Sequence, residues 1–167
     1  PYLCGWSGFA IFLDGDMLLR GNIADLWAMR RVDRGVHVVQ HDYKTRHPVK
    51  YLGAENVDYP RKNWSSVILW NCGHPANRKL TPDYVESASG AMLHRFEWIP
   101  DNRIGDLPAE WNHLAMEYPA RNDASLYHFT VGTPCFAQYA NCDNSDYWWR
   151  HYARVIAPVV DLGKTML

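Results

Sequence analysis

Apolar residues along the chain gather in short runs, and the spacing inside each run decides which element it predicts. Gly8 to Asp14 (GFAIFLD) is a continuous apolar run ending in acid, the pattern of a buried strand that stops at a site. Ile23, Leu26, Trp27 and Arg30 recur at helical spacing behind Asn22, which predicts a capped helix over 23–30, with Gly35 ending the segment. Val36 to Tyr43 (VHVVQHDY) alternates and is β-branched, so it predicts a second strand. Residues 44–63 are rich in Lys, Arg, Pro, Gly and Asn and predict a long loop, a length that compact domains reserve for function or mobility. Trp64 to Asn71 (WSSVILWN) predicts a third strand. Thr81-Pro82 opens a helix running to about Ser89, with a cap residue followed by proline in the first turn. Residues 96–111 are broken by Pro100, Gly105 and Pro108 and predict irregular chain. Ser125 to Thr130 predicts a last strand, and Asn144 to Ile156 a closing helix.

Strands alternating with helices in 167 residues predict one α/β domain, a mixed sheet flanked by helices, spanning 1–167. Lys and Arg number 17 against 18 Asp and Glu, a net charge of −1, so no general attraction to nucleic acid is expected and any anion must be gripped locally. The longest apolar runs fall far short of the roughly 20 residues of a membrane span. The four Cys are scattered without a CxxC pair, and no charged-then-apolar leader opens the chain; together these predict a reduced, cytoplasmic setting. Eight Trp and ten Tyr raise the aromatic share to 14%, which serves either a core or the apolar faces of sugars and bases.

The candidate chemistry centres on Asp14 and Asp16. In extended backbone, acids two apart point to one side, roughly 6 to 7 Å apart by the strand rise, and a Mg²⁺ or Mn²⁺ ion between them relieves their repulsion while leaving positions for diphosphate oxygens. Asp-Gly-Asp is equally ordinary turn chemistry. His37 and His41, four apart in a predicted strand, stand about 13 Å apart and cannot share a metal. Cys72 and His74 are read as packing residues.

The string FAIFLDGDMLLRGNIADLW resembles the DxD segment of glycosyltransferase family eight and its bacterial and phage relatives. Three further blocks follow in the order of that group: YPRKNWSSVILWNCGH (59–74), LHRFEWIPDNRIGDLPAEWNHL (93–114) and YHFTVGTPCFAQY (127–139). The resemblance covers most of residues 2–152 and implies a minimal or partial GT-A fold, represented by its metal- and acceptor-side portion. It implies a hexosyltransferase using a UDP-sugar and an unknown acceptor, with retention at the anomeric carbon. A binding module that kept the fold without turnover is the alternative.

By the same resemblance Asp14, Asp16 and His128 hold Mn²⁺ or Mg²⁺, with Asp14 near the donor. The family's late block carries a Lys that touches the diphosphate, whereas His128, Gly132, Pro134 and Phe136 here include none. Lys62, Arg61 and Lys50 of the long loop are the substitutes. Ser65 and Ser66 fall where relatives bring small residues against the donor sugar, and are equally a buried strand start, while Trp64 is read as core. Glu97, Asp101, Glu110 and Asn112 fall on the sugar and acceptor side, Gly132 in the block around the late histidine, and Asp106 and Glu110 are equally capping or surface acids. The nucleotide-binding half of a GT-A domain ordinarily precedes the DxD, so a homo-oligomer covering the open edge of the first strand is expected.

Overall fold

The computed structural model describes residues 1–165. Two sheets form its frame. The first has β1 (Phe9–Leu13), β4 (Val67–Asn71), β3 (Val36–Val38) and β5 (Ile104–Asp106), in that order. Strand β4 runs antiparallel to both β1 and β3, and β3 pairs parallel with β5. The second sheet is β2 (Met17–Leu19), β7 (Leu126–His128) and β6 (His113–Leu114), with β2 antiparallel and β6 parallel to β7. The helices are α1 (Ile23–Ala28), α2 (Pro82–Ser87), α3 (Gly90–His94) and α4 (Ser145–Thr165).

Strand β4 is apolar from Val67 to Trp70 because both its faces are covered. Val67 and Leu69 point to one side, among Leu26 of α1, Val39, Leu107, Trp111 and Leu126. Ile68 and Trp70 point to the other, among Val36, Val38, Phe96, Trp98 and Ile104, with Tyr84 and Leu93 of α2 and α3 closing the layer. The first of these layers joins the two sheets, since Leu126 belongs to β7 while Met17 and Leu19 of β2 pack at its border. A third cluster of Leu18, Ala115, Ala124, Tyr127 and Phe129 receives Tyr147 and Trp148 from α4.

Several expectations hold in outline and shift in detail. Asn22 caps α1 by accepting from the Ala24 amide, but the helix ends at Ala28, before Arg30 and well before Gly35. Strand β3 stops at Val38, where the Leu107 amide bonds the Val38 carbonyl and β5 ends, leaving 39–43 no neighbour to pair with. Residues 64–66 form a 3₁₀ turn ahead of β4. Thr81 caps α2 as expected, and the segment to His94 divides into α2 and α3, each with its own hydroxyl cap. The stretch 96–111 holds β5, since parallel pairing to β3 is a non-local gain that outweighs its poor local propensity. Helix α4 runs on past Ile156 to Thr165. Trp64 sits at the border of the core and donates to the His41 carbonyl. Cys72 is buried, and His74 accepts from the Ala76 amide at the start of a 3₁₀ turn. No helix among the described residues is long and apolar enough to cross a membrane.

Candidate metal centre

Asp14-Gly15-Asp16 is the turn by which the chain leaves one sheet and enters the other. The Asp14 amide extends the β1–β4 ladder by donating to the Ser66 carbonyl at 3.0 Å, and the Asp16 carbonyl extends the β2–β7 ladder by accepting from the Phe129 amide at 3.0 Å. Each acid is therefore anchored to a different sheet. The extended geometry expected from the sequence is corrected here: the triplet is a turn, and the turn is what brings the carboxylates together. Together with His128 they offer three ligand atoms that all lie within 4.8 Å of one another, the one such group of His, Cys, Asp or Glu among the described residues.

The third ligand is oriented from behind. Asn112 is fully buried, and its amide nitrogen donates to the Asn63 carbonyl at 3.1 Å and to Ser66 Oγ at 2.9 Å. A backbone carbonyl only accepts, so the nitrogen of Asn112 must face it and Oδ1 must face His128 Nδ1, at 3.1 Å. His128 Nδ1 then carries the proton, and Nε2 presents its lone pair toward Asp16 Oδ1, 3.4 Å away. This is the arrangement by which an outer partner fixes the tautomer of a metal-binding imidazole. Ligands bound at 2.0–2.1 Å stand about 3 Å apart when adjacent and about 4 Å when opposite, and these three atoms, within 4.8 Å of one another with His128 Nε2 and Asp16 Oδ1 at 3.4 Å, come near that spacing. One imidazole with two carboxylates is harder than zinc's usual nitrogen and sulfur set and suits Mn²⁺ or Mg²⁺.

The electrostatics are those of a site short of positive charge. Burial raises the Asp14 carboxyl above its ordinary 3.8, with Asp16 adding to the rise and His128 opposing it. Burial also works to raise Asp16, but the hydrogen bond and charge of His128 outweigh it, and its pKa is lowered.

These groups line a cavity of about 260 Å³ with Lys50, Tyr51, Tyr59, Asn63, Ser65, Ser66, His94 and Thr130. Ser65 reaches it, with Oγ 2.8 Å from His94 Nδ1. Ser66 lines it but is 2% exposed, with its hydroxyl donating to the Asn63 carbonyl. Five candidates from the sequence go elsewhere. Asn112 reaches no substrate, being buried beneath His128. Lys62 is 6% exposed, and its amino group is taken up by Thr45 Oγ1 (2.6 Å), Asn56 Oδ1 (2.6 Å) and the Val57 carbonyl (2.9 Å). Glu97 and Asp101 are exposed on a separate cavity of about 370 Å³, where Asp101 pairs with Arg61 at 2.7 Å. Gly132 also lies off this cavity, and a Cβ there would lie 2.1 Å from the Tyr139 ring, so its bareness makes room for packing. The Nζ of Lys50 lies 3.3 Å from Thr130 Oγ1. Burial lowers its pKa, while Asp16, Glu117 and Asp14 oppose the fall.

No known family model matches the chain. A relative from Arabidopsis thaliana, Protein CDI, is 39% identical over 153 residues, which are 89% of this chain and 59% of that protein. The chain thus spans about three fifths of the curated relative it matches. Among solved structures, the glycosyltransferase GlyE of Streptococcus pneumoniae TIGR4 superposes with a TM-score of 0.53 at 12% identity, covering 85% of this chain and 39% of GlyE. Its apo form gives 0.55 at 15% identity, covering 85% and 38%. The fold is a partial GT-A fold, matching 39% of the GlyE chain over 85% of this one.

Proposed function

We propose that the protein is a metal-dependent glycosyltransferase of the family-eight kind, which moves a hexose from a UDP-sugar to an acceptor hydroxyl with retention at the anomeric carbon. The carrying observation is the convergence of Asp14, Asp16 and an imidazole of fixed tautomer within 4.8 Å on one cavity of a GT-A fold. Asp14, Asp16 and His128 would hold the ion. When bound, the ion supplies positive charge that offsets the charge developing on the departing diphosphate. Asn112 and Ser66 keep the His128 ring turned toward the acids, so the ligand set is assembled before any substrate arrives. Ser65, tethered to His94, and Tyr59 offer hydroxyls at the wall for sugar hydrogen bonds. Asp14 and Asp16 are the carboxylates lining the cavity, and both serve as ligands, which leaves no lining acid free as a nucleophile. Retention then proceeds by front-face substitution, with the leaving phosphate accepting the proton of the incoming hydroxyl.

The test is calorimetric titration of UDP into wild type and Asp16→Ala, each with and without Mn²⁺, followed by assay of UDP release from candidate donors. Binding that needs both the metal and Asp16, with release above the hydrolytic background, supports the proposal. Binding indifferent to metal and mutation refutes it, and metal-linked binding without turnover reduces the protein to a nucleotide-sugar binding module.

A further inference from the structure

Charge in the cavity does not yet suit an anion. Asp14 and Asp16 carry −2 together, and a divalent ion brings the sum to zero. A diphosphate entering such a site meets no net attraction from its walls. Of the residues that line the cavity, Lys50 is the one Lys or Arg.

Its placement is built into the fold. Residues 48–56 form a small hairpin closed by the bridge between Val49 and Glu55, with the Lys50 amide bonding the Ala54 carbonyl at 2.8 Å and the Asn56 amide bonding the Pro48 carbonyl at 2.9 Å. The hairpin is tied to the chain just past β7, because the Tyr51 amide donates to the Val131 carbonyl at 2.9 Å and the Tyr51 ring stacks on Phe136 at 5.4 Å between centroids. The Lys50 ammonium makes one hydrogen bond, to Thr130 two residues beyond His128, and retains two donors for a ligand. The other loop cations are turned elsewhere: Lys62 has three acceptors, Arg61 bonds the Arg95 carbonyl and Asp101, and the exposed Lys44 and Arg46 do not line the cavity.

We propose that Lys50 is the diphosphate-gripping cation of this protein, supplied by the 48–56 hairpin and aimed at the same cavity as the Asp14–Asp16–His128 ligand set. The proposal rests on the glycosyltransferase reading above, and goes beyond it by assigning the leaving group's second positive partner. With a divalent ion in place the cavity sums to +1, and the ammonium contributes charge-assisted hydrogen bonds to phosphate oxygens. The competing role is that of a counter-ion alone, in which Lys50 merely relieves the two acids.

Calorimetry on wild type, Lys50→Gln and Lys50→Arg separates the two, with three ligands: Mn²⁺ alone, UDP at saturating Mn²⁺, and micromolar pyrophosphate at saturating Mn²⁺. The expected result is that Lys50→Gln weakens UDP and pyrophosphate by about 10- to 100-fold while Mn²⁺ alone binds as well as before or tighter, and that Lys50→Arg keeps most of the affinity. With a single hydrogen bond at stake, the melting temperature of Lys50→Gln should stay near the wild-type value. Unchanged diphosphate affinity in Lys50→Gln, with tighter Mn²⁺ binding, would overturn the proposal in favour of the counter-ion role. Lys50-dependent pyrophosphate binding without UDP binding would sink the nucleotide-sugar reading and leave Lys50 as a diphosphate ligand. Failure of the wild type to bind either would remove both.

Discussion

His128 and His113 stand on neighbouring strands, both nearly sealed from solvent, and they do different things. His128, 2% exposed, has both ring nitrogens engaged, one on Asn112 and the other facing Asp16. His113, 4% exposed on β6, and His41, 7% exposed behind it, each leave Nε2 without a partner in the protein. Burial drives them down from the ordinary 6.5 to about 4 and about 3, so they stay neutral and serve as flat packing pieces among Tyr118 and Tyr127. What separates His128 from His113 and His41 is that a carboxylate meets its second nitrogen. Two of the three loop lysines repeat the contrast, Lys62 with three acceptors and Lys50 with one.

Acid should separate the wedges from the ligand most strongly. The unfolded chain protonates His41 and His113 as pH falls through about 6.5, whereas the folded chain resists until about 3 for His41 and about 4 for His113. Stability is therefore intact above pH 6.5 and drains as pH drops through that window. Urea unfolding at pH 7.5 and pH 5 should differ by about 2 kcal/mol for each of the two rings, and His113→Phe should flatten the slope by its share. Lys62→Met comes next: it strands Asn56 Oδ1 and the Val57 carbonyl and should destabilise by about 2 to 3 kcal/mol in the same assay, while Mn²⁺ affinity holds. Gly132→Ala, which drives a methyl into Tyr139, should cost about 1 to 3 kcal/mol by the same measure. Asn112→Leu frees the His128 ring to turn and should weaken Mn²⁺ by about 10- to 100-fold in calorimetry, with Asn112→Gln failing to restore it because the shorter reach to Asn63 is lost.

The frame was legible where the pattern is local. The apolar runs ending at Asp14 and Asn71, and the caps Asn22 and Thr81, carry their own signal, and β1, β4, α1 and α2 follow from them. Strands β2, β5 and β6 have three residues or fewer and exist because a distant partner lies alongside, which no window of sequence registers. The site divides in the same way. Family resemblance placed Asp14, Asp16 and His128 in one ligand set, and the fold brings those side chains together. Nothing in the letters distinguishes Lys50 from Lys62, or an Asn112 that meets a sugar from one that steers a histidine, because burial and partners settle both.

If this corner of two sheets is a divalent-metal site, it takes up Mn²⁺ through Asp14, Asp16 and His128. Titrating Mn²⁺ and following the loss of its free-ion EPR signal tests it directly, in wild type, Asp16→Ala and His128→Ala, with melting curves to confirm folding. One site per chain is expected in the wild type, with at least about a 100-fold loss in each folded variant. Equal Mn²⁺ uptake by all three, or none by the wild type, would contradict it.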